Sequence, residues 1–135
     1  MSIWSTYDSE IKNSLKSLGY EEQPDNFNID DPDASNEFIH FGFSIKVLEI
    51  DRQSITDGHA YHTYLVELKI SYLNAKLSRS SNLESFDDLC ALLINNGAKF
   101  PNFVSLSENP TFTDDDISNQ TTIGTIRMWY GVRGC

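Results

Sequence analysis

The chain has 135 residues, of which 39% are hydrophobic and 22% are charged. This is the composition of an ordinary folded domain and excludes a disordered or fibrous protein. The length predicts a single domain over residues 1–135 that buries about two thirds of its unfolded surface. No apolar run approaches the roughly 20 residues that cross a bilayer, and residues 1–8 lack the pattern of a secretory signal. We therefore expect synthesis in the cytosol without export.

Charge narrows the choice of partners. Twenty acidic residues against ten scattered basic ones give a net charge of −10. General binding to nucleic acid needs clustered lysine and arginine, so this balance disfavours it. A negative surface keeps a protein soluble, and it also suits a wall past which DNA slides without adhering. Charge alone leaves both interpretations open.

Near the N-terminus, apolar residues recur every three or four positions, which predicts an amphipathic helix. This stripe consists of Trp4, Tyr7, Ile11, Leu15 and Leu18. Ser2 is placed to cap the helix and Gly19 to end it in a left-handed conformation.

The composition of the chain changes over residues 20–36. Two prolines and many Asp and Asn residues predict a long surface segment, in which Phe27 and Ile29 are candidate anchors. A connection of this length is uncommon in a compact domain unless it has a function or is ordered by a partner. A mobile acidic loop is the other interpretation, and both remain open.

Two alternating apolar patterns predict a long β-hairpin. The first runs from Ile39 to Val47 and the second from His62 to Tyr72, separated by a turn-rich stretch at Asp51–Gly58. The apolar phase slips after Val47, which indicates a β-bulge or the end of the strand.

A second helix is predicted after the hairpin. Ser81 and Glu84 have the spacing of a capping box, and Gly97 ends the pattern. The predicted buried stripe consists of Leu83, Phe86, Leu89, Cys90, Leu93 and Ile94. Cys90 is expected to be a reduced core residue, because two cysteines are too few for a disulfide scaffold.

The remaining sequence reads as strands, with short segments from Phe103 and Thr111, then an acidic turn at Asp114–Asp116 and a final strand. The predicted class is α+β, an antiparallel or mixed sheet flanked by two amphipathic helices in the order α-β-β-α-β-β.

The sequence predicts no catalytic, metal-binding or cofactor-binding residues. His59 and His62, with Asp57 nearby, are three apart, so an extended strand would point the imidazoles to opposite faces. A calcium loop starting at Asp114 would need glycine at its sixth position and glutamate at its twelfth, where Asn119 and Thr125 stand. No G-x-S-x-G elbow or glycine-rich phosphate loop is present. We expect a protein that is not an enzyme, although a site built from scattered acids stays open.

Trp129 lies on the polar phase of the last strand, beside Arg127. One interpretation is a core residue of a sheet covered on both faces. The other is an exposed anchor at a subunit interface, where Trp and Arg are enriched.

The order of elements resembles that of tail terminator (tail completion) proteins of long-tailed bacteriophages. The segments that carry the resemblance are Trp4–Gly19, Phe38–Val47, Tyr61–Tyr72, Phe86–Asn96 and the closing run Asp114–Val132. The resemblance implies a virion protein of the tail or neck, assembled in the host cytoplasm. It implies a homohexameric ring that caps the tail tube, joins it to the head–tail connector protein and leaves a central channel for DNA.

Candidate interface residues follow from these interpretations: Phe27, Ile29, Asp57, His59, Asp114, Asp115, Asp116, Arg127 and Trp129. The expected partners are copies of the chain, a tail tube protein and a connector protein, with DNA passing without specific binding and no membrane involved. The alternative is a small acidic intracellular adaptor, similar to immunity proteins or secretion chaperones, for a basic protein partner.

Overall fold

A computed structural model describes residues 3–23, 40–54, 60–95, 97–114 and 121–132, with only the backbone of 52–54, 60–62 and 132. It confirms the α+β class: two helices and one mixed sheet of six strands. The elements are α1 (Ile3–Ser17), β1 (Glu21–Glu22), β2 (Gly42–Ser54), β3 (Ala60–Leu73), α2 (Arg79–Asn95), β4 (Phe103–Leu106), β5 (Thr111–Asp114) and β6 (Thr121–Val132).

The strands lie in the spatial order β1-β2-β3-β6-β4, and β5 also pairs with β6. β1 runs parallel to β2, and every other pair is antiparallel. The element order is therefore α-β-β-β-α-β-β-β, and the predicted α-β-β-α-β-β is wrong. β1 has two residues and β4 and β5 have four each, which is too short for a periodic pattern to establish a strand.

Both helices cover the same face of the sheet. The even-numbered side chains of β3 from Tyr64 to Tyr72 are at most 2% exposed and pack in one core with both helices. At one end Tyr7 of α1 meets Tyr64 edge-on, and at the other Phe86 of α2 meets Tyr72. The helices thus form one layer on one side of the sheet.

A partly buried polar contact fixes α1 against the sheet. The hydroxyl of Tyr130 donates a hydrogen bond to the carboxylate of Glu10 on α1. The side-chain amide of Asn102 donates to both oxygens of the same carboxylate, at 2.9 and 3.1 Å. These bonds tie the start of β4 and the end of β6 to one side chain of the helix. Burial raises the pKa of the Tyr130 hydroxyl, and the hydrogen bond to Glu10 raises it further, so this group stays protonated.

The ends of the helices match the predictions in part. Gly19 has φ of 96°, the left-handed conformation expected after α1. For α2 the predicted capping box is wrong, because the helix begins at Arg79 and the hydroxyl of Ser78 accepts the hydrogen bond from the backbone N–H of Ser81. Ser2 lies outside the described residues.

The buried stripe of α2 is narrower than predicted. Phe86, Leu89 and Leu93 are at most 4% exposed, whereas Leu83 is 42% and Ile94 52% exposed. Since the helix packs on a single sheet face, only its inward side finds apolar neighbours.

The hairpin prediction is confirmed, but the strands are longer than predicted, because residues 51–54 of the predicted turn-rich stretch belong to β2. β2 and β3 have 13 and 14 residues and pair up to Ser54 and Ala60. The register shifts between Val47 and Glu49, where the phase slip predicted a bulge. His40 precedes β2 and packs against the sheet. Its ring is half-buried against Phe41, and its Nδ1 accepts a hydrogen bond from the backbone N–H of Leu73 at 2.9 Å.

Gly124 of β6 lies directly against Phe86 of α2. A Cβ at this position would lie 2.5 Å from Cδ1 and Cε1 of Phe86. Phe86 is held from the other side by Tyr72 and Phe112, with ring centroids at 6.2 and 5.5 Å. A side chain larger than hydrogen at residue 124 therefore has no room unless Phe86 moves.

We expect Gly124→Ala to lower the free energy of unfolding by about 1–3 kcal/mol, the usual cost of overpacking a core. The matched control is Gly97→Ala, because a Cβ there meets nothing within 4 Å. Chemical denaturation measures both variants. Adding Phe86→Leu to Gly124→Ala should recover part of the loss, and equal stability of the two glycine variants would contradict the close approach.

Candidate interaction surface

The face of the sheet opposite the two described helices is called the open face, and on it Thr63, Glu67 and Ser71 are at most 7% exposed. On β3 and β6 this open face presents the odd-numbered side chains. They are Thr63, Leu65, Glu67, Lys69 and Ser71 on β3, and Ile123, Thr125, Arg127 and Trp129 on β6. The mixture of aliphatic, aromatic and charged groups differs from the aromatic and aliphatic core on the other face.

Arg127 is the centre of the charged part of the open face. It lies directly across from Glu67 in the β3–β6 register, and its Nε donates to Oε2 of Glu67 at 2.8 Å. Its Nη1 donates to Oε1 of Glu108 at 2.8 Å. The hydrogen bonds to Glu67 and then to Glu108 raise the pKa of Arg127. Lys69 Nζ lies 3.7 Å from Oε1 of Glu67.

Glu67 is the least exposed member of this network. The residue is 7% exposed, while the Arg127 side chain is 43% exposed. A carboxylate removed from water to this degree needs its cationic partners, since a buried unpaired charge is costly. The network therefore fixes the position of the Arg127 guanidinium on the surface.

A polar cleft of about 210 Å³ opens beside the network. It is lined by Lys69, Glu108, Asn109, Thr111, Thr125 and Arg127. Two cations, two hydroxyls and one amide outnumber the single carboxylate, so the cleft offers mainly hydrogen-bond donors. Such a lining suits an acidic or carbonyl group of a protein partner.

Trp129 lies on the same open face as Arg127. It is half-buried, opposite Leu65 on β3 and Ser105 on β4. Both interpretations of its position, the core residue and the interface anchor, stay predictions.

Asp114 does not join these two residues. It pairs with Thr122 at the end of β5, on the helix side of the sheet. Its Oδ1 accepts hydrogen bonds from Arg79 Nε at 2.7 Å and from Thr122 Oγ1 at 2.8 Å, and these bonds, the one from Arg79 first, lower the pKa of Asp114. The Arg79 guanidinium also lies 5.1 Å from the ring centroid of Phe112. Asp114 thus ties the start of α2 to β5 and serves the fold.

Six of the predicted interface residues lie outside the described residues: Phe27, Ile29, Asp57, His59, Asp115 and Asp116. Within the described part, the structure brings Arg127 and Trp129 onto one face and leaves Asp114 on the other. Sequence reasoning did not select Glu67, Lys69 or Glu108. Strand alternation placed Glu67 and Lys69 on the polar phase, but only the register with β6 shows that Glu67 meets Arg127.

An apolar cleft of about 280 Å³ lies between the end of α1, Phe41 and α2. Leu18, Leu89 and Leu92 form much of its lining, with Asp88 among the polar residues. Nearby Cys90 is a free thiol whose pKa is raised to about 11 by burial, so it stays protonated at neutral pH and is a poor nucleophile.

Among the residues that the structure describes, no group of three or more His, Cys, Asp and Glu side chains is arranged to hold a metal ion. Neither described helix is long and apolar enough to cross a membrane. No family model matches this chain, and no curated protein matches it.

The burial of Glu67 predicts that its pair with Arg127 couples more strongly than an exposed pair. In a double-mutant cycle with Glu67→Gln and Arg127→Gln, the coupling energy should exceed that of the cycle Asp114→Asn and Arg79→Gln. The second pair is the matched control, because its side chains are 48% and 35% exposed. Urea denaturation supplies all values, and equal coupling in the two cycles would contradict the role assigned to Glu67.

The lowered pKa of Asp114 predicts a dependence of stability on pH. A carboxyl whose pKa is lowered by folding stabilises the protein above its ordinary pKa of 3.8, and this contribution disappears as pH falls through the lowered value. Asp114→Asn should therefore destabilise the protein at pH 7, by no more than about 1 kcal/mol for so exposed a pair. The difference from the wild type should vanish in acid. A difference that stays constant between pH 7 and strong acid would be inconsistent with this ion pair.

Proposed function

We propose that this chain is a structural virion protein that acts like a phage tail terminator. Its subunits form a hexameric ring that caps the tail tube and joins it to the head–tail connector protein, leaving a central channel for DNA. The ring belongs to the tail or neck of the virion and assembles in the host cytoplasm. Its partners are copies of itself, the tail tube protein and the connector protein.

The observation that supports this proposal most is the placement of both described helices on one face of the sheet. Both helices lie on one face, and the described part of the opposite face carries Arg127 held by Glu67 and Glu108, with Trp129 beside it. Arginine and tryptophan are the residue types most enriched at the energetic centres of protein interfaces. A fixed guanidinium loses little conformational freedom when a partner binds it.

The charge of the chain agrees with a conduit. A ring of six copies would carry six times the net charge of −10, and DNA is repelled by a negative wall. Passage without specific binding requires this absence of attraction. A closed ring is built from two different patches of each subunit, and the open face with its donor-lined cleft is one such patch.

A second candidate function is favoured by the outer surface of α2. Glu84, Asp87 and Asp88 are all exposed on this helix, and Asp88 also lines the apolar cleft. An acidic rim around an apolar cleft suits a small adaptor that binds a basic protein. Such an adaptor would form a complex of one copy with one partner and no ring.

Native mass spectrometry and negative-stain imaging of the purified chain, alone and with tail tubes, test the first candidate. We expect six-membered rings with a central hole. Trp129→Ala should abolish the rings while the protein stays folded, because it truncates the proposed anchor. The matched control is Leu83→Ala on α2, which removes an exposed apolar side chain away from the open face and should leave the rings intact.

A chain that forms no rings under either condition would overturn the terminator proposal. Rings formed equally well by Trp129→Ala would remove the open face from the subunit contact. Recovery of a basic protein at one-to-one stoichiometry would favour the adaptor.

A further inference from the structure

β2 is an edge strand for most of its length. β1 pairs only with Gly42 and Phe43, and no described residue pairs with the outer side of β2 beyond them. An unpaired edge presents backbone N–H and C=O groups that can form a ladder with another strand. The segment available for such pairing begins at Ser44, and its side chains are described as far as Asp51.

The hydrogen bonds and the strand register show which residues of β2 have backbone N–H and C=O groups that point outward. The carbonyl of Phe43 accepts a hydrogen bond from the N–H of Gln23 next to β1. The backbone N–H and C=O of Phe43 therefore point away from β3. In an antiparallel ladder this orientation alternates, so Ile45 and Val47 also point outward. The bulge shifts this alternation by one residue. Lys46 and Glu49, which pair with Glu67 and Leu65, both direct their backbone groups toward β3, and Ile50 directs its groups outward.

The apolar and the charged side chains of this edge lie on different faces of the sheet. Ile45, Val47 and Ile50 lie opposite Leu68, Val66 and Tyr64, on the helix side of the sheet. Ile50 is 60% exposed, which is a large apolar area to leave in water. Lys46 and Glu49 lie on the open face, and both are exposed.

We propose that this edge pairs antiparallel with the same edge of a second copy, with Lys46 opposite Glu49 of the second copy. The two-fold relation then sets Glu49 opposite the second Lys46, which makes two ion pairs. Ile45 falls opposite Ile50, again twice, and Ser44 falls opposite Asp51. At these pairs outward backbone groups meet outward groups and the two side chains share one face, as an antiparallel ladder requires, while Val47 and Leu48 at the bulge fall opposite each other at the two-fold axis.

Charge disfavours the register that pairs Lys46 with itself. Pairing Lys46 with Lys46 of the second copy would set like charges directly opposite each other, which destabilises a ladder. A lysine on an edge strand ordinarily prevents pairing, and Glu49 in the offset register removes that obstacle. The exposed Ile50 is covered by the same arrangement.

The other edge of the sheet is a poor partner for β2. It consists of β4 and β5, which have four residues each and are separated by a stretch that contains Pro110. Short strands and proline both limit strand addition. Only β2 offers an eight-residue strand over 44–51, so the occupant that fits it is a second β2.

This pairing does not depend on the proposed ring. A two-fold contact joins identical patches, whereas a ring is closed by two different patches. A chain that dimerises through β2 without forming rings would support the pairing and count against the ring. A chain that forms rings without pairing through β2 would support the ring and count against the pairing.

Cysteine cross-linking tests the register. In a Cys90→Ala, Cys135→Ala background, Lys46→Cys and Glu49→Cys are prepared separately and then mixed under mild oxidation. Opposed residues of this type have Cα atoms about 4.5 Å apart, within disulfide range. Copies of the same position lie about 10 Å apart along the strands, beyond that range. We expect disulfide dimers from the mixture and few from either variant alone.

Sedimentation equilibrium supplies an independent readout. Glu49→Lys should raise the dimer Kd roughly tenfold, because it replaces two ion pairs by two like-charge pairs. Glu84→Lys makes the same charge change on α2 and should leave Kd unchanged. A wild-type chain that stays monomeric, a Glu49→Lys variant that dimerises as tightly as the wild type, or cross-links that form equally in the unmixed samples would each overturn the proposal.

Discussion

β3 and β6 run antiparallel over twelve residue pairs, from His62–Val132 to Leu73–Thr121, and present one continuous apolar face. Leu68, Val66 and Tyr64 on β3 lie beside Ile126, Met128 and Tyr130 on β6, and all six are at most 2% exposed. Burying one such side chain stabilises the fold by about 1.5–3 kcal/mol, whereas an exposed ion pair contributes about 0–1 kcal/mol. Burial of the apolar face therefore determines where the helices pack, and the ion pairs contribute less to the stability of the fold.

Because one face takes both helices, the other face and the β2 edge keep their capacity for contacts. The Arg127 network consists of groups that a core would exclude, and β3 pairs with β6 in the register that sets Arg127 against Glu67. The strand order leaves β2 near the edge of the sheet, where β1 pairs with two of its residues.

Much of the architecture could be predicted because it follows from patterns longer than one helical turn. The stripe around Ile11 and the alternation through Val66 are local signals that survive in the fold. The slip after Val47 even located the bulge. The exposure of Leu83 and Ile94 was missed, because an apolar stripe does not show how much of the helix surface the sheet will cover. β1 was missed because two residues carry no period.

The candidate surface was accessible to sequence reasoning only in part. Arg127 and Trp129 stood out by residue type and strand phase, but the bond of Asp114 to Arg79 was not predicted, because it joins residues 35 positions apart. Glu67 and Glu108 gain their importance from contacts 60 and 19 positions away. Such pairings depend on the strand order of the sheet, which no local pattern contains.

Amide hydrogen exchange measured at low and high protein concentration tests most directly the claim that this chain assembles through its sheet. The account predicts that protection increases with concentration at the outward amides of β2, such as Ile45, and around Arg127 and Trp129 on the open face. Exchange in α1 and on the outer side of α2 should stay the same at both concentrations. Protection that increases on the helices while β2 and the open face remain unchanged would contradict the account.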